Sequence, residues 1–265
     1  MQQYLELLKY ILEKGKSKKT RGIHSIRSIF GYQLKFDLRK GFPIITTKKM
    51  PFKIMTHELL WFISGETNIK YLQENKIHYW DGFADKNGDL GPVYGSQWRK
   101  WPDYQGGYID QLANVINEIR NTPDSKAMII SAWNSAQISE MRLPPCHTLF
   151  QFNVTNDKLR LQLYQRSSDV FLGLPFNISQ YALLLYMVAQ VTNLEPRELI
   201  ISIGDAHIYK NHINAVEEQL KRIPKVLPRL KLNKEIKNID DFKIDDFELS
   251  GYNPDPHIKA DLVII

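Results

Sequence analysis

The sequence predicts an α+β protein with a single domain spanning 1–265, and three observations carry that prediction. Strand-like stretches cluster in the middle of the chain and do not alternate regularly with helices, which disfavours a doubly wound parallel sheet. The segment 177–191 is nearly all apolar and too long for a strand, so it reads as a buried helix. At 265 residues the chain lies at the upper end of what one hydrophobic core supports.

Element by element, 3–13 places Tyr4, Leu5, Leu8, Ile11 and Leu12 at helical spacing, and Gly15 ends the turn. The stretch 29–38 reads as a strand. A helix follows over 52–64 with Ile54, Leu59, Leu60 and Trp61, and 108–120 is amphipathic through Ile109, Leu112, Val115, Ile116 and Ile119. Strands are expected at 128–133, 148–154 and 159–164, the last alternating through Leu159, Leu161 and Leu163. A short buried strand at 199–203 precedes a polar Asp205-Ala206-His207 and a helix from about Tyr209.

Composition excludes several classes. No apolar run approaches the roughly 20 residues of a spanning helix, so no membrane partner is expected. The first residues lack the plan of a signal peptide, and a single cysteine forms no internal disulfide framework; a reducing, cytoplasmic setting is expected. Net charge is +6, with basic residues gathered in 14–27 and 221–237. Charge runs of this kind are usually solvated faces, then sites for anionic substrates; readable nucleic-acid modules are absent, which disfavours nucleic acid as a partner.

The residues able to do chemistry are few. Cys146, in Leu143-Pro144-Pro145-Cys146-His147, is either a small buried hydrophobe or a nucleophile; the prolines mark a loop and basic neighbours favour a thiolate. Gln165-Arg166-Ser167-Ser168-Asp169 ends a strand with a cation, hydroxyls and a carboxylate, either as a solvated ion pair or as a site. Asn177 opens the apolar helix, where an N-cap is its simplest role. Asp205 and His207 straddle a strand end without any zinc-ligand spacing. Glu58, beside Leu59-Leu60-Trp61, is either a solvated helix residue or, if buried, a carboxyl of raised pKa suited to moving protons.

In order and spacing, these stretches resemble the thymidylate synthase family along nearly the whole chain. The resemblance rests on His57-Glu58-Leu59-Leu60-Trp61-Phe62, Asn87-Gly88-Asp89-Leu90-Gly91-Pro92-Val93-Tyr94-Gly95, Pro145-Cys146-His147, the run 162–177, and Gly204-Asp205-Ala206-His207-Ile208-Tyr209. It implies a mixed β-sheet through which two copies form a homodimer, with dUMP and a reduced folate in one cleft. The implied reaction is reductive methylation of dUMP to dTMP, 5,10-methylenetetrahydrofolate giving both the one-carbon unit and the hydride. By resemblance Cys146 adds to carbon 6 of the pyrimidine. Arg166 holds the thiolate and, with Arg21 and Ser167, the phosphate. Asn177 reads the uracil edge, while His207 and Tyr209 hold the ribose. Glu58, His147 and Tyr94 form the proton network. Asp169 serves catalysis and both ligands, and Trp80, Leu172 and Phe176 line the folate site.

Against the family pattern, Gly22-Ile23-His24-Ser25 replaces a Thr-Gly-Thr-Gly run, a folate-facing histidine becomes Pro51 and a tryptophan becomes Phe83. The two phosphate arginines lent by the partner subunit fall on Lys126 and Ala127. Hydrogen bonds to charged groups contribute roughly 1.5–3 kcal/mol each, so either Arg27, His24 or Lys49 compensates or the nucleotide is not dUMP. Two other readings follow: a pyrimidine-nucleotide 5-hydroxymethyltransferase acting on a non-standard nucleotide, and a nucleic-acid-binding protein with a degraded site. Trp80 favours methylation over the first, and retention of Cys146, Arg166, Asp169 and Asn177 argues against the second.

Overall fold

A computed structural model describes residues 1–20 and 24–263. Helix α1 (Gln2–Lys14) buries Tyr4, Leu5, Leu7, Leu8 and Ile11 and stops at Gly15, whose N–H returns to the Ile11 carbonyl. Strands β1 (Lys16–Lys19) and β2 (Ser25–Asp37) form an antiparallel pair. Helix α2 (Phe52–Ile63) begins after Pro51, and the short helices α3 (Lys70–Glu74) and α4 (Gly95–Arg99) follow. A small hairpin of β3 (Trp101–Pro102) and β4 (Tyr108–Ile109) leads to α5 (Gln111–Asn121) and β5 (Ile129–Ser131). The long strands β6 (His147–Thr155) and β7 (Lys158–Asp169), helix α6 (Gly173–Val191) and strand β8 (Glu195–Tyr209) build the centre. Helix α7 (Ile213–Leu220) and a ribbon of β9 (Arg229–Leu232) with β10 (Phe247–Ser250) complete the fold.

The principal sheet has six strands in the order β1-β2-β8-β7-β6-β5. Only β7 and β8 run parallel, with α6 as their crossover, so the sheet is mixed and the architecture is α+β as expected. Leu159, Leu161 and Leu163 alternate inward, in register with Leu199 and Ile201, and pack beneath α6, whose apolar residues are buried almost all round. The other sheet face carries exposed Ile129, Leu149 and Tyr164 together with Gln162 and Ser202.

Four expectations need correction. The strand read at 199–203 runs from Glu195 to Tyr209, and no helix starts near Tyr209; after a 3-10 turn over Lys210–His212, α7 begins at Ile213. Polar Asp205-Ala206-His207 therefore lies within the sheet, because β2 and β7 both supply backbone partners that local polarity cannot override. For the same reason the strand read at 159–164 extends further, and 165–169 ends it as the sequence suggested. Helix α6 starts four residues before Asn177, at Gly173, with Leu172 in the cap position, so Asn177 is not an N-cap. The amphipathic 108–120 divides at Asp110, whose side chain accepts the Ala113 N–H and caps α5.

Candidate active site

Strand register builds the site. On β8 the core-facing row Leu199, Ile201, Ile203 continues as Asp205, His207 and Tyr209, while on β7 the row Leu161, Leu163 continues as Gln165, Ser167 and Asp169. The inward face thus changes from apolar to polar toward the C-terminal ends of the two parallel strands. Gly204 permits the close approach of the strands: a Cβ there would meet the Arg166 carbonyl oxygen at 2.7 Å.

Cys146 sits just before β6, its backbone carbonyl accepting the Arg166 N–H at 2.7 Å. The Arg166 guanidinium wraps this turn, donating to the carbonyls of Pro145 and Pro144 at 3.2 Å each and bringing Nη2 to 3.9 Å from the Cys146 Sγ. It also lies 5.6 Å from the ring centre of Trp133. Burial pushes the Cys146 thiol up, and Arg166 and the Tyr94 hydroxyl offset that rise only in part. The expected influence of Arg166 on the thiolate is present, yet in the free protein desolvation outweighs it.

Tyr94 accepts the Cys146 N–H at 3.1 Å and stacks on His147 with ring centres 4.1 Å apart. Its φ of 34° is costly for a bulky residue, and the next position is Gly95, where a Cβ would meet the Phe62 carbonyl oxygen at 2.2 Å. Tyr94 is therefore held in place by tight packing of α4 against α2. His147 is buried, bonds the Tyr181 hydroxyl through Nδ1 at 2.7 Å, and is pushed by burial from 6.5 down to about 3. The folded protein keeps it neutral where the unfolded chain protonates it, so its contribution to stability is full above pH 6.5 and falls away as pH drops toward 3. His147→Gln is expected to flatten the loss of the urea midpoint between pH 6.5 and pH 4. Parallel losses in both proteins would overturn this.

Glu58 faces inward from α2 at 5% exposure, so it is no solvated helix residue. Trp80 Nε1 donates to Oε1 at 2.6 Å and Gln180 Nε2 to Oε2 at 2.5 Å. Burial raises the Glu58 pKa, against these donors. Its neighbour His57 points to the other side, bonding Tyr71 at 2.8 Å. A separate cleft of about 900 Å³ lies on that side, lined by His57, Leu60, Arg99 and Asp240 among others, and includes none of the residues around Cys146. This hollow lies apart from the cluster around Cys146.

Asn177, one turn into α6, receives a hydrogen bond from Gln165 Nε2 at 2.8 Å, which fixes its amide. Asp169 takes the N–H groups of Phe171 and Leu172 on Oδ1, tying β7 to the loop that enters α6. Asp205 bonds His207 Nδ1 at 3.1 Å and Lys18 Nζ at 3.0 Å; the bond from His207, then Lys18, holds its carboxyl below the usual range. Tyr209 packs edge-on to His207. Phe176, Tyr79, Trp80 and Phe83 form a continuous aromatic wall through successive ring contacts, and Leu172 packs against the core alongside. Such a wall beside a carboxylate fits a flat, hydrogen-bonding ring system such as a pterin.

One candidate is not brought to this cluster. Lys126 is exposed before the edge strand β5, where its carbonyl accepts a bond from Gln151, and no hydrogen bond joins it to the cluster among the described residues. Arg21 lies outside the described residues. Sequence reasoning missed Gln180, Tyr181, Tyr79 and Lys48. A glutamine in the middle of a nearly all-apolar helix was a usable signal for Gln180. Lys48 gave none, since a lysine in a basic pair reads as solvated; here it is 2% exposed, donates to the Phe171 carbonyl at 2.5 Å and is pushed by burial to about 7.

Chemically, the cluster joins a cysteine and an arginine to a buried carboxyl network and a fixed amide, an arrangement suited to covalent addition to a polarised ring. The chain belongs to the thymidylate synthase family: the family model described as thymidylate synthase matches residues 2–264. It is accordingly an enzyme of the pyrimidine-nucleotide methyl- or hydroxymethyltransferase type. Among the described residues no helix is long and apolar enough to cross a membrane.

Proposed function

We propose that this enzyme reductively methylates dUMP to dTMP, using 5,10-methylenetetrahydrofolate. The observation that carries the proposal is the approach of Arg166 Nη2 to Cys146 Sγ at 3.9 Å, on a turn bonded to Tyr94 and beside the Glu58 network. The phosphate dianion of the nucleotide is drawn by Arg166 and Ser167, with Arg21 as a further ligand. Asn177, its oxygen already receiving Gln165, offers a donor and an acceptor to the uracil edge. His207 and Tyr209 hold the sugar.

As the thiolate adds to carbon 6, the carbon–sulfur bond forms and the ring electrons move toward oxygen 4, so that carbon 5 becomes nucleophilic. Glu58, raised by burial, delivers a proton at that oxygen, and neutral His147 supports the network. Bound methylenetetrahydrofolate supplies the one-carbon unit and the hydride; Asp169, Trp80, Leu172 and Phe176 would hold it. Tyr94, whose pKa is raised well above its ordinary value, stays protonated and acts as a hydrogen-bond relay when the carbon 5 proton departs. That proton would pass to water, its electron pair breaking the bond between the one-carbon unit and the folate nitrogen, and hydride received at the exocyclic carbon would break the carbon–sulfur bond and return that pair to the Cys146 sulfur. The free thiol this needs fits the cytoplasm.

The exposed sheet face with Ile129, Leu149 and Tyr164 supports a homodimer through the sheet, and the single contiguous core supports one domain over 1–265. Lys126 and Ala127 would then meet the partner's nucleotide, with less bidentate contact than two arginines provide. Arg27 shares with Arg166 the sheet face opposite His207 and Tyr209, and its guanidinium bonds the Gly15 carbonyl and no carboxylate among the described residues. Arg27→Ala is therefore expected to raise the nucleotide KM by about tenfold with little change in unfolding temperature. An unchanged KM for dUMP would remove Arg27 from the phosphate site and favour a different nucleotide. Incubation with dUMP, UMP or dCMP plus methylenetetrahydrofolate, followed by product mass, tests the whole reading: a methylated uridylate supports it, a hydroxymethylated product selects the alternative enzyme, and no product overturns both.

A further inference from the structure

Tyr79 has no part in the chemistry described above, yet its hydroxyl is buried next to that chemistry without a hydrogen-bond partner among the described residues. Its ring is clamped edge-on against Phe176, with centres 5.9 Å apart, and lies 6.5 Å from that of Trp80. Orphaned buried hydroxyls are costly and uncommon, so one beside a reactive group calls for a function. The charged group acting on it is Glu58: the hydroxyl lies close enough to favour the charged carboxylate, although no hydrogen bond of normal geometry joins the two.

Glu58 has room for another donor. Trp80 occupies one bond on Oε1 and Gln180 one on Oε2, whereas a carboxylate offers about four lone-pair sites. The groups facing Glu58 are Trp80 and Tyr79 from the turn after α3, Gln180 from α6 and Tyr94 from the start of α4. Only the two tyrosines among these titrate, and burial keeps both protonated. Every neighbour that can move is thus a donor, and Tyr79 is the one whose hydroxyl makes no hydrogen bond, as donor or acceptor, among the described residues.

We propose that Tyr79 is a positioning residue for Glu58, its hydroxyl turning onto the carboxylate as a third donor alongside Trp80 and Gln180. This tyrosine would then set how readily Glu58 gives up its proton to substrate, a role resting on the proposed proton transfer by Glu58. Its ring contact with Phe176 links that setting to the folate wall.

Tyr79→Phe removes the hydroxyl and keeps the ring. Donors to the charged form hold a carboxyl's pKa down, so losing one must move the Glu58 titration to higher pH. The expected result is that shift in ligand-free protein, read by NMR of carboxyl-labelled glutamate with Glu58→Gln for assignment. In turnover, kcat should fall by about threefold or more and its pH profile should move the same way, with nucleotide KM unchanged. A Glu58 titration that does not move would overturn the proposal, and a gain in unfolding temperature alongside it would mark an idle orphan. If the wild-type protein modifies no pyrimidine nucleotide, the functional reading falls, while the Glu58 titration still decides the part played by Tyr79.

Discussion

Replacing Cys146 by serine is expected to lower turnover by roughly a thousandfold or more while leaving the fold intact. Sulfur is polarizable and ionises within reach of neutral pH, whereas a serine hydroxyl stays protonated and adds poorly to a conjugated ring. The site sharpens the expectation. Arg166 lies within 3.9 Å of the sulfur, yet burial still pushes the thiol up in the free protein, so thiolate is scarce even for cysteine. An alcohol in the same surroundings would be far worse placed. The substitution removes no packing partner of consequence: the backbone bonds of position 146 to Tyr94 and Arg166 use its N–H and carbonyl, which serine retains. Turnover of dUMP with methylenetetrahydrofolate, measured beside thermal unfolding, checks both halves. Activity within about tenfold of the wild type would end the assignment of Cys146 as nucleophile.

Asn177→Asp is expected to move the preference between uridylate and cytidylate by about a hundredfold toward cytidylate. An amide presents one donor and one acceptor, which matches the carbonyl and N–H of a uracil edge. A protonated carboxyl presents its donor and acceptor to the amino group and ring nitrogen of cytosine instead. Gln165 makes this a local exchange, because its Nε2 donates to the oxygen of residue 177 at 2.8 Å and can do so to either side chain. Asn177 lies one turn into α6 and is not its cap, so the start of the helix does not depend on it. The ratio of kcat/KM for the two nucleotides measures the effect. An unchanged ratio would mean that the base is read by other residues.

Much of this molecule was legible before any coordinates. The spacing of Tyr4, Leu8 and Ile11 marked α1, the alternation of Leu159, Leu161 and Leu163 marked β7, and the apolar run into Val191 marked α6. These signals survive because each element buries one face or all of itself, and burial writes a local periodicity. Cys146, Arg166, Asp169 and Asn177 stood out through their motifs, and the family follows from them together. Illegible from local pattern was everything decided by pairing between distant segments. Asp205, His207 and Tyr209 are polar and aromatic enough to suggest a loop and a helix, but β2 and β7 hold them in a strand. Gln180 and Tyr79 gained meaning only when α6 and the turn after α3 met at Glu58. Lys126 shows the same limit: it is exposed before the edge strand, and no hydrogen bond joins it to the cluster among the described residues. The sequence by itself determined most of the elements, the family and Cys146 as the candidate nucleophile; only the tertiary structure decided which polar groups gather beside it, because hydrogen bonds and desolvation act between segments far apart in the chain and leave no periodic trace along it.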